Sequence, residues 1–283
     1  MTTVAYLQCG PHKVDLARPR VMGILNITPD SFADAGAHFD HERALDHARR
    51  MLADGADIID IGGESTRPGA QPVAERDELA RVLPVIEVLA AEGAVVSIDT
   101  MKPAVMRAAT AAGAALINDV RALQARGALE VAAESGAAVC LMHMRGEPRT
   151  MQSQPEYDDV VRDVRDFLVK RALICEASGI ARDRIAIDPG FGFGKTLAHN
   201  LALTRALPAI KATGYPVLVG ISRKSAIGKI TGRDVADRLA GSLSAALAAV
   251  VRGASILRVH DVRETVDALK VWHAIETGEE VKK

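Results

Sequence analysis

Eight short apolar segments alternate along the chain with eight longer segments of helical periodicity, and this alternation limits the possible folds. The predicted strands are Arg20–Leu25, Ile58–Ile61, Ala94–Ile98, Ala115–Ile117, Ala137–Met142, Ile185–Ile187, Val217–Ile221 and Ser255–Val259. The predicted helices lie near residues 41–54, 76–92, 103–112, 124–135, 157–178, 198–206, 235–252 and 261–276. Because strands that alternate with helices favour parallel βα units, we predict an α/β fold, a single (β/α)8 TIM barrel.

The two ends of the chain lie outside this repeating pattern. Residues 1–19 are predicted to form an N-terminal β-hairpin that turns at Gly10-Pro11 and closes the bottom of the barrel. The barrel is predicted to span residues 20–276, and residues 277–283 to form a short polar tail. No segment resembles an interdomain linker, so residues 1–283 are predicted to be one domain.

Composition argues against several classes of protein. The 35 Lys and Arg balance 36 Asp and Glu, and aromatic residues are only 3% of the chain, so a nucleic-acid-binding surface is not expected. Cys9, Cys140 and Cys175 show no CxxC spacing, which favours free thiols in a reducing compartment. The chain begins without a signal-peptide pattern, and its longest apolar run, Ala245–Val251, is too short to cross a membrane. We therefore expect a cytoplasmic protein.

Each predicted strand is followed by polar or glycine-rich residues. In chain order these groups are Asn26–Phe32, Gly62–Gly69, Asp99-Thr100, Asn118-Asp119, Met142–Met144, Asp188–Lys195, Ser222–Ser225 and Arg258–Asp261. Any one of them could simply form a turn or cap a helix. The carboxyl ends of barrel strands converge on one face, however, and that face carries the active site in enzymes of this fold. Eight such groups together therefore predict a functional site.

Three residues at the ends of strands three, four and six favour a planar heterocyclic ligand. Asp99, Asn118 and Asp188 offer oxygen atoms that can accept paired N–H donors, such as those of a 2-aminopyrimidinone. Internal salt bridges with barrel arginines are the alternative interpretation, because buried carboxylates need partners.

Basic residues follow strands two, seven and eight, where barrels of this class commonly bind anions. These residues are Arg67, Lys224, Arg258 and His260. We expect them to bind a phosphate or diphosphate, although solvated surface cations are the alternative.

Residues 189–196 read Pro-Gly-Phe-Gly-Phe-Gly-Lys-Thr and match a phosphate-binding loop only in part. The pattern G-x-x-x-x-G-K-[ST] requires glycine at position 189, where this chain has proline, and G-x-G-x-x-G differs in spacing. We interpret the segment as a wall whose glycines let Phe193 face a flat ligand, with a purely structural loop as the alternative. His143 lacks ligand-type spacing and is predicted to be structural.

Several of these groups together closely resemble the motifs of bacterial dihydropteroate synthases, a pterin-binding (β/α)8-barrel family. The motifs are Asn26–Phe32, Asp60–Gly69, Asp188–Lys195, Ser222–Ser225 and Arg258–Asp261, and the resemblance extends from about Leu7 to Trp272. It implies a transferase of folate biosynthesis, a homodimer and a sulfonamide target. The family joins 6-hydroxymethyl-7,8-dihydropterin diphosphate to 4-aminobenzoate, which gives 7,8-dihydropteroate and diphosphate.

The resemblance also implies roles for individual residues. Pterin binding would fall to Asp99, Asn118, Met142, Asp188, Phe193 and Lys224, diphosphate binding to Thr66, Arg67, Arg258 and His260, and 4-aminobenzoate binding to Phe32, Thr66, Pro68, Phe193 and Ser225. Asn26 would hold a Mg²⁺ ion that bridges the diphosphate. The residues implied in catalysis are Asp99, Lys224, Arg258 and Asn26.

Three other functions remain open at this point. A pterin-dependent methyltransferase of the same fold would share the Asp and Asn pterin site, but its methyl donor offers no diphosphate for residues 66–69 and 222–225 to bind. A non-catalytic pterin-binding homologue is disfavoured because Asn26, Arg67 and Arg258 are all present. A Schiff-base aldolase would use Lys224 as its nucleophile.

Overall fold

The computed structural model describes residues 5–28, 37–65, 69–146, 151 and 155–278, and strands alternate with helices along most of their length. The strands are β1 (Tyr6–Cys9), β2 (His12–Asp15), β3 (Arg20–Asn26), β4 (Ile58–Gly62), β5 (Val96–Asp99), β6 (Leu116–Asp119), β7 (Ala138–Met142), β8 (Ile185–Asp188), β9 (Leu218–Val219) and β10 (Ile256–Val259). The helices are α1 (Ala37–Ala53), α2 (Glu75–Ala91), α3 (Pro103–Ala111), α4 (Ala128–Ser135), α5 (Val160–Ala177), α6 (Leu197–Arg205), α7 (Leu207–Lys211), α8 (Ser225–Thr231), α9 (Leu239–Val251) and α10 (Val262–Thr277).

Strands β3 to β10 form one parallel barrel. Their order is β8-β7-β6-β5-β4-β3-β10-β9, and a parallel bridge between Ile187 in β8 and Val217 beside β9 joins the two edges. Strands β4 to β8 are buried along their whole length, as expected for a parallel sheet with helices outside and packed side chains inside. The predicted (β/α)8 barrel is confirmed.

The helices differ from the sequence-based expectation at three places, the first of which is α8 (Ser225–Thr231), a short helix that the sequence did not predict. The pattern near 198–206 is followed by a separate short helix, α7, because Pro208 occupies its first turn and starts a new helix. The predicted helix near 235–252 begins only at Leu239, after a 3₁₀ turn over Val235–Asp237. In the part of the chain that the structure describes, no helix is both long and apolar enough to cross a membrane.

The N-terminal hairpin closes the lower end of the barrel, as predicted. Strands β1 and β2 pair antiparallel, with Cys9 opposite His12 across the turn at Gly10-Pro11. Leu7, Cys9 and Val14 are buried in an apolar cluster with residues from the interior of the barrel. Those residues are Met22, Ile58, Ala115, Leu116, Ala138, Cys140, Ala186, Leu218 and Ile256. The functional groups must therefore lie at the opposite, open end.

We predict that Leu7→Ala lowers the free energy of unfolding by about 2–5 kcal/mol, because it leaves a cavity between the hairpin and the barrel. Leu173→Ala on α5 is the control, since that side chain is 53% exposed and its truncation should change stability by less than about 0.5 kcal/mol. Urea denaturation measures both values. Equal, small effects for the two variants would show that the hairpin does not belong to the core.

Candidate active site

The register of four neighbouring strands places Asn26, Gly62, Asp99 and Asn118 in one row at the upper end of the barrel. Asn26 pairs with Gly62, Gly62 with Asp99, and Asp99 with Asn118. Gly62 lies between the side chains of Asn26 and Asp99, since a Cβ atom there would be in ordinary contact with both, at 3.6 Å from Asn26 Oδ1 and 3.7 Å from Asp99 Cβ. The predicted metal ligand and two predicted pterin ligands therefore lie side by side.

Arg258 crosses the interior from β10 and binds two buried carboxylates. Its Nε lies 2.5 Å from Asp60 Oδ2, and its Nη2 lies 2.7 Å from Asp99 Oδ2. Burial by itself would lower the pKa of Arg258, but Asp60 and Asp99 raise it above the usual value. The guanidinium thus stays charged at the centre of the barrel mouth.

Asp60 is the centre of this network, although sequence analysis assigned it no role. Its Oδ1 accepts a hydrogen bond from Ser97 at 2.6 Å, and its Oδ2 accepts one from Asn118 Nδ2 at 3.1 Å in addition to that from Arg258. Asp60 therefore fixes the side chains of Asn118 and Arg258 relative to each other. The sequence feature that indicates this role is the position of Asp60 as the one charged residue in the otherwise apolar strand β4.

Asp99 uses only one of its two carboxylate oxygens for Arg258. The other oxygen, Oδ1, is buried and has no hydrogen-bond partner among the described residues. Burial raises the pKa of Asp99, and Arg258 opposes that shift. An unpaired buried acceptor costs about 1–3 kcal/mol, which a ligand N–H donor would recover. A salt bridge with a barrel arginine, the alternative interpretation of Asp99, is therefore present, but Asp99 keeps one acceptor oxygen for a ligand.

Asp188 faces this network from the other side of the barrel. Its Oδ1 accepts a hydrogen bond from Gly190 N at 2.7 Å, and its register partner in β7 is Met142. Burial raises the pKa of Asp188, while Lys224 has the opposite effect. No protein donor among the described residues contacts the second oxygen, Oδ2, which is available to a ligand.

Lys224 lies in the chain between β9 and α8, and its side chain extends across the barrel mouth to the segment that follows β8. Its Nζ donates a hydrogen bond to the carbonyl of Phe191 and lies 4.7 Å from the centre of the Phe193 ring. Burial lowers the pKa of Lys224 to about 8, while Asp188 acts in the opposite direction. Lys224 and the Phe193 ring therefore lie side by side at one edge of the barrel mouth.

His260 and Ser225 occupy the rim near the ends of β10 and β9. His260 Nδ1 lies 3.1 Å from Ser222 Oγ, and Ser225 is the exposed first residue of α8. Arg223, which directly follows Ser222 in the sequence, forms a salt bridge with Asp261. Its guanidinium is therefore used in a structural salt bridge.

Lys102 is a second residue that sequence analysis missed. Its Nζ donates hydrogen bonds to the carboxylates of Glu64 and Glu78 and to the carbonyl of Val73, the last at 2.8 Å. One ammonium group thus joins both ends of the segment from 64 to 73. The predicted ligands Thr66, Arg67 and Pro68 in this segment, and Phe32 in the first loop, lie outside the described residues.

His143 is structural, as predicted. It is buried with its ring edge-on to Phe167 at 4.9 Å between ring centres, and burial lowers its pKa to about 3. Lys195, the lysine of the glycine-rich segment, lies beside it and is also buried. Lys195 therefore does not point into the open mouth, in agreement with the rejection of a phosphate-binding loop.

Comparison with known proteins places the chain in a family. A family model described as "Pterin binding enzyme" matches residues 22–260. The dihydropteroate synthase of Escherichia coli K12 is 50% identical over 271 residues, which cover 95% of this chain and 96% of that protein.

Solved structures agree with this assignment. The Xanthomonas albilineans dihydropteroate synthase with 4-aminobenzoic acid superposes with a TM-score of 0.92 at 52% identity, covering 97% of this chain and 99% of that one. The Burkholderia cenocepacia enzyme complexed with 7,8-dihydropteroate gives a TM-score of 0.89 at 49% identity, covering 98% and 99%. The chain belongs to the dihydropteroate synthase family of pterin-binding enzymes.

Proposed function

We propose that the chain condenses 6-hydroxymethyl-7,8-dihydropterin diphosphate with 4-aminobenzoate to give 7,8-dihydropteroate and diphosphate. One observation carries this proposal: the buried Oδ1 of Asp99, which has no partner among the described residues, lies in the same barrel mouth as the cations Lys224 and Arg258. Acceptors for a heterocycle and cations for a leaving group are the two requirements of this reaction. Related enzymes bound to 4-aminobenzoic acid and to 7,8-dihydropteroate support it.

The pterin ring is held between acceptors on opposite sides of the mouth. Asp188 binds the N3–H and the 2-amino group, while Asn118 and Asp99 bind the other edge of the ring. Asn118 suits this role because its Nδ2 is used for Asp60, which leaves its carbonyl oxygen for a ligand N–H. Lys224 lies toward the 4-oxo and N5 side, and Met142 and Phe193 pack on the ring.

The diphosphate is held by Arg258 and His260, together with Thr66 and Arg67. Arg258 uses Nε and Nη2 for Asp60 and Asp99, so the N–H groups of Nη1 are available to diphosphate oxygens. Because the two carboxylates fix the guanidinium before substrate arrives, it can stabilise the leaving group without reorganisation.

Mg²⁺ fits the donor chemistry at Asn26. Magnesium prefers oxygen ligands and keeps several waters, and it is commonly held by one or two protein groups plus substrate phosphates. Among the described residues no cluster of three His, Cys, Asp or Glu could hold a metal without substrate, whereas Asn26 Oδ1 lies in the row with Asp99. When bound there with the diphosphate, Mg²⁺ would supply Lewis-acid stabilisation of the leaving group.

The proposed reaction depends on stabilising the charges that develop when the C–O bond to diphosphate breaks. The C–O bond to diphosphate breaks with its electron pair, and the leaving charge is stabilised by Arg258 and His260. The pterin methylene becomes cationic next to the carboxylate of Asp99, which stabilises it electrostatically. The amine nitrogen of 4-aminobenzoate attacks this carbon, forms the C–N bond and loses a proton to water. No covalent enzyme intermediate is required.

The 4-aminobenzoate lies at the rim. Its carboxylate is received at Ser225, where the hydroxyl is exposed, and its ring packs on Phe193. Phe32, Thr66 and Pro68 complete this subsite in the proposal.

The homodimer and the cytoplasmic location are also proposals. Exposed apolar side chains occur on α6, α8, α9 and α10, namely Leu201, Ile230, Val251, Val271 and Ile275, and such surfaces favour association between copies. The three buried cysteines are free thiols, which suits a reducing compartment.

Diphosphate release should require both substrates and Mg²⁺. We expect little net release when 4-aminobenzoate is omitted, because C–O cleavage is reversible until the amine captures the pterin methylene, and little when Mg²⁺ is chelated, because the leaving charge is then less stabilised. A coupled phosphate assay and detection of 7,8-dihydropteroate measure this. Diphosphate release without dihydropteroate would overturn the synthase proposal, as would methyl transfer from a methylated folate.

Asp188→Asn should weaken pterin binding by about 2–4 kcal/mol, because an amide of the same size replaces an anionic acceptor that faces paired N–H donors. Calorimetric titration with a pterin measures the affinity. Asp183→Asn is the matched control at the amino end of β8, where the carboxylate accepts a hydrogen bond from Tyr6. Unchanged affinity in Asp188→Asn would remove Asp188 from the site.

Asp60→Asn should lower both the free energy of unfolding and the pterin affinity, because Arg258 and Asn118 lose their common partner. We expect a loss of stability of about 2–4 kcal/mol, since Asp99 still pairs with Arg258. Asp57→Asn is the control: its carboxylate binds Arg20 and the Val21 amide at the lower end of β4. This control should lose stability but keep its pterin affinity. If both variants bind pterin equally well, Asp60 does not organise the site.

A further inference from the structure

The segment between β8 and α6 is fastened by a buried lysine that the proposed reaction does not use. Lys195 is only 2% exposed. Its Nζ lies 2.9 Å from Gly190 O, 3.0 Å from Phe193 O, 3.2 Å from His143 O and 3.0 Å from His143 Nδ1. Two of these acceptors belong to the segment itself, and the other two belong to the residue that follows β7.

Four acceptors around one ammonium group explain why a lysine is buried here. An ammonium has three N–H donors and no acceptor, and burying it without partners is costly. The carbonyls and the imidazole nitrogen supply those partners, provided that the segment keeps this shape. Burial lowers the pKa of Lys195 to about 7, so its charged form depends on these acceptors, and the charge is coupled to the conformation of residues 189–194.

Two glycines let the segment lie directly on the backbone after β7. Gly190 has a φ of +70°, and a Cβ atom there would lie 1.9 Å from His143 O. Gly194 has a φ of +62°, and its Cβ would lie 2.4 Å from Arg145 O. Side chains at these positions would push the segment away from Lys195 and its partners.

The same segment forms the wall of the substrate site. Phe193, whose carbonyl binds Lys195, has its ring 4.7 Å from Lys224 Nζ. Phe191, inside the segment, offers its carbonyl to Lys224. A change at Lys195 would thus reach Phe193 and Lys224 through the backbone, without any contact between Lys195 and substrate.

We propose that Lys195 is a positioning residue, whose buried ammonium fixes residues 189–194 so that Phe193 and Lys224 are held for substrate binding; this proposal rests on the proposed function. His143 is its necessary partner. Burial, and then the charge of Lys195, lower the pKa of His143 to about 3, so its ring is neutral, and Nδ1 accepts a hydrogen bond from Lys195 Nζ at 3.0 Å because an ammonium can only donate.

The test compares Lys195→Met with Lys170→Met, which changes an exposed lysine on α5 in the same way. For Lys195→Met we expect the KM for 4-aminobenzoate to rise about tenfold or more, with kcat within about threefold of wild type, because a displaced wall weakens binding before it slows chemistry. Lys170→Met should match wild type in both constants.

A second pair of variants tests His143, the partner of Lys195. This pair also serves as the test if Lys195→Met does not fold. His143→Asn keeps an acceptor close to the position of Nδ1, and His143→Leu removes it, while both lose the imidazole ring. We expect KM to rise in His143→Leu and to stay within about twofold of wild type in His143→Asn.

The outcomes separate this inference from the proposed function. A wild-type protein without synthase activity refutes the proposed function. An active wild type with an unchanged KM in both Lys195→Met and His143→Leu refutes the positioning role. A lower kcat with unchanged KM also refutes it, because loss of folded enzyme alone gives that pattern.

Discussion

The ion pairs of Arg258 with Asp60 and Asp99 are the interaction on which the site depends. They bury one guanidinium between two carboxylates, at 2.5 and 2.7 Å, where the strands of a parallel barrel converge. A buried carboxylate or guanidinium without its partner would be strongly destabilising. This pairing fixes the guanidinium at the barrel mouth and, through Asp60, orients Asn118 beside the Asp99 oxygen that has no partner among the described residues. In the proposed function, the diphosphate and the pterin ring of one substrate both bind to this network.

The lower end of the barrel contributes apolar packing, and the upper end carries the polar groups of the candidate site. At the lower end Leu7 and Cys9 of the hairpin fill the interior with apolar packing, which contributes stability. At the upper end polar residues replace that packing, and lysines hold the loops: Lys102 joins Glu64 to Val73, and Lys195 joins Gly190 to His143. Loop carbonyls are thereby paired inside the protein, and the oxygens that face the mouth come from the strand ends.

The sequence predicted the barrel and the hairpin, and it predicted that polar residues gather at the carboxyl ends of the strands, because period, turn residues and strand-end chemistry are local signals. It did not predict α7 or α8 as separate helices, since they are only five and seven residues long and periodicity is a weak signal over so few positions. Asp60 and Lys195 were missed as organising groups for a different reason. Their importance lies in contacts with residues distant in sequence, such as Arg258 and His143, and no local pattern contains those contacts.

A crystal structure of the protein with bound 7,8-dihydropteroate tests the proposed site most directly. We expect ring N–H groups within hydrogen-bond distance of Asp188 Oδ2, of the Asn118 carbonyl oxygen and of Asp99 Oδ1, with Arg258 still paired to Asp60. A pterin ring bound elsewhere, or turned so that none of its N–H groups faces these oxygens while Asp99 Oδ1 stays unpaired, would contradict the site.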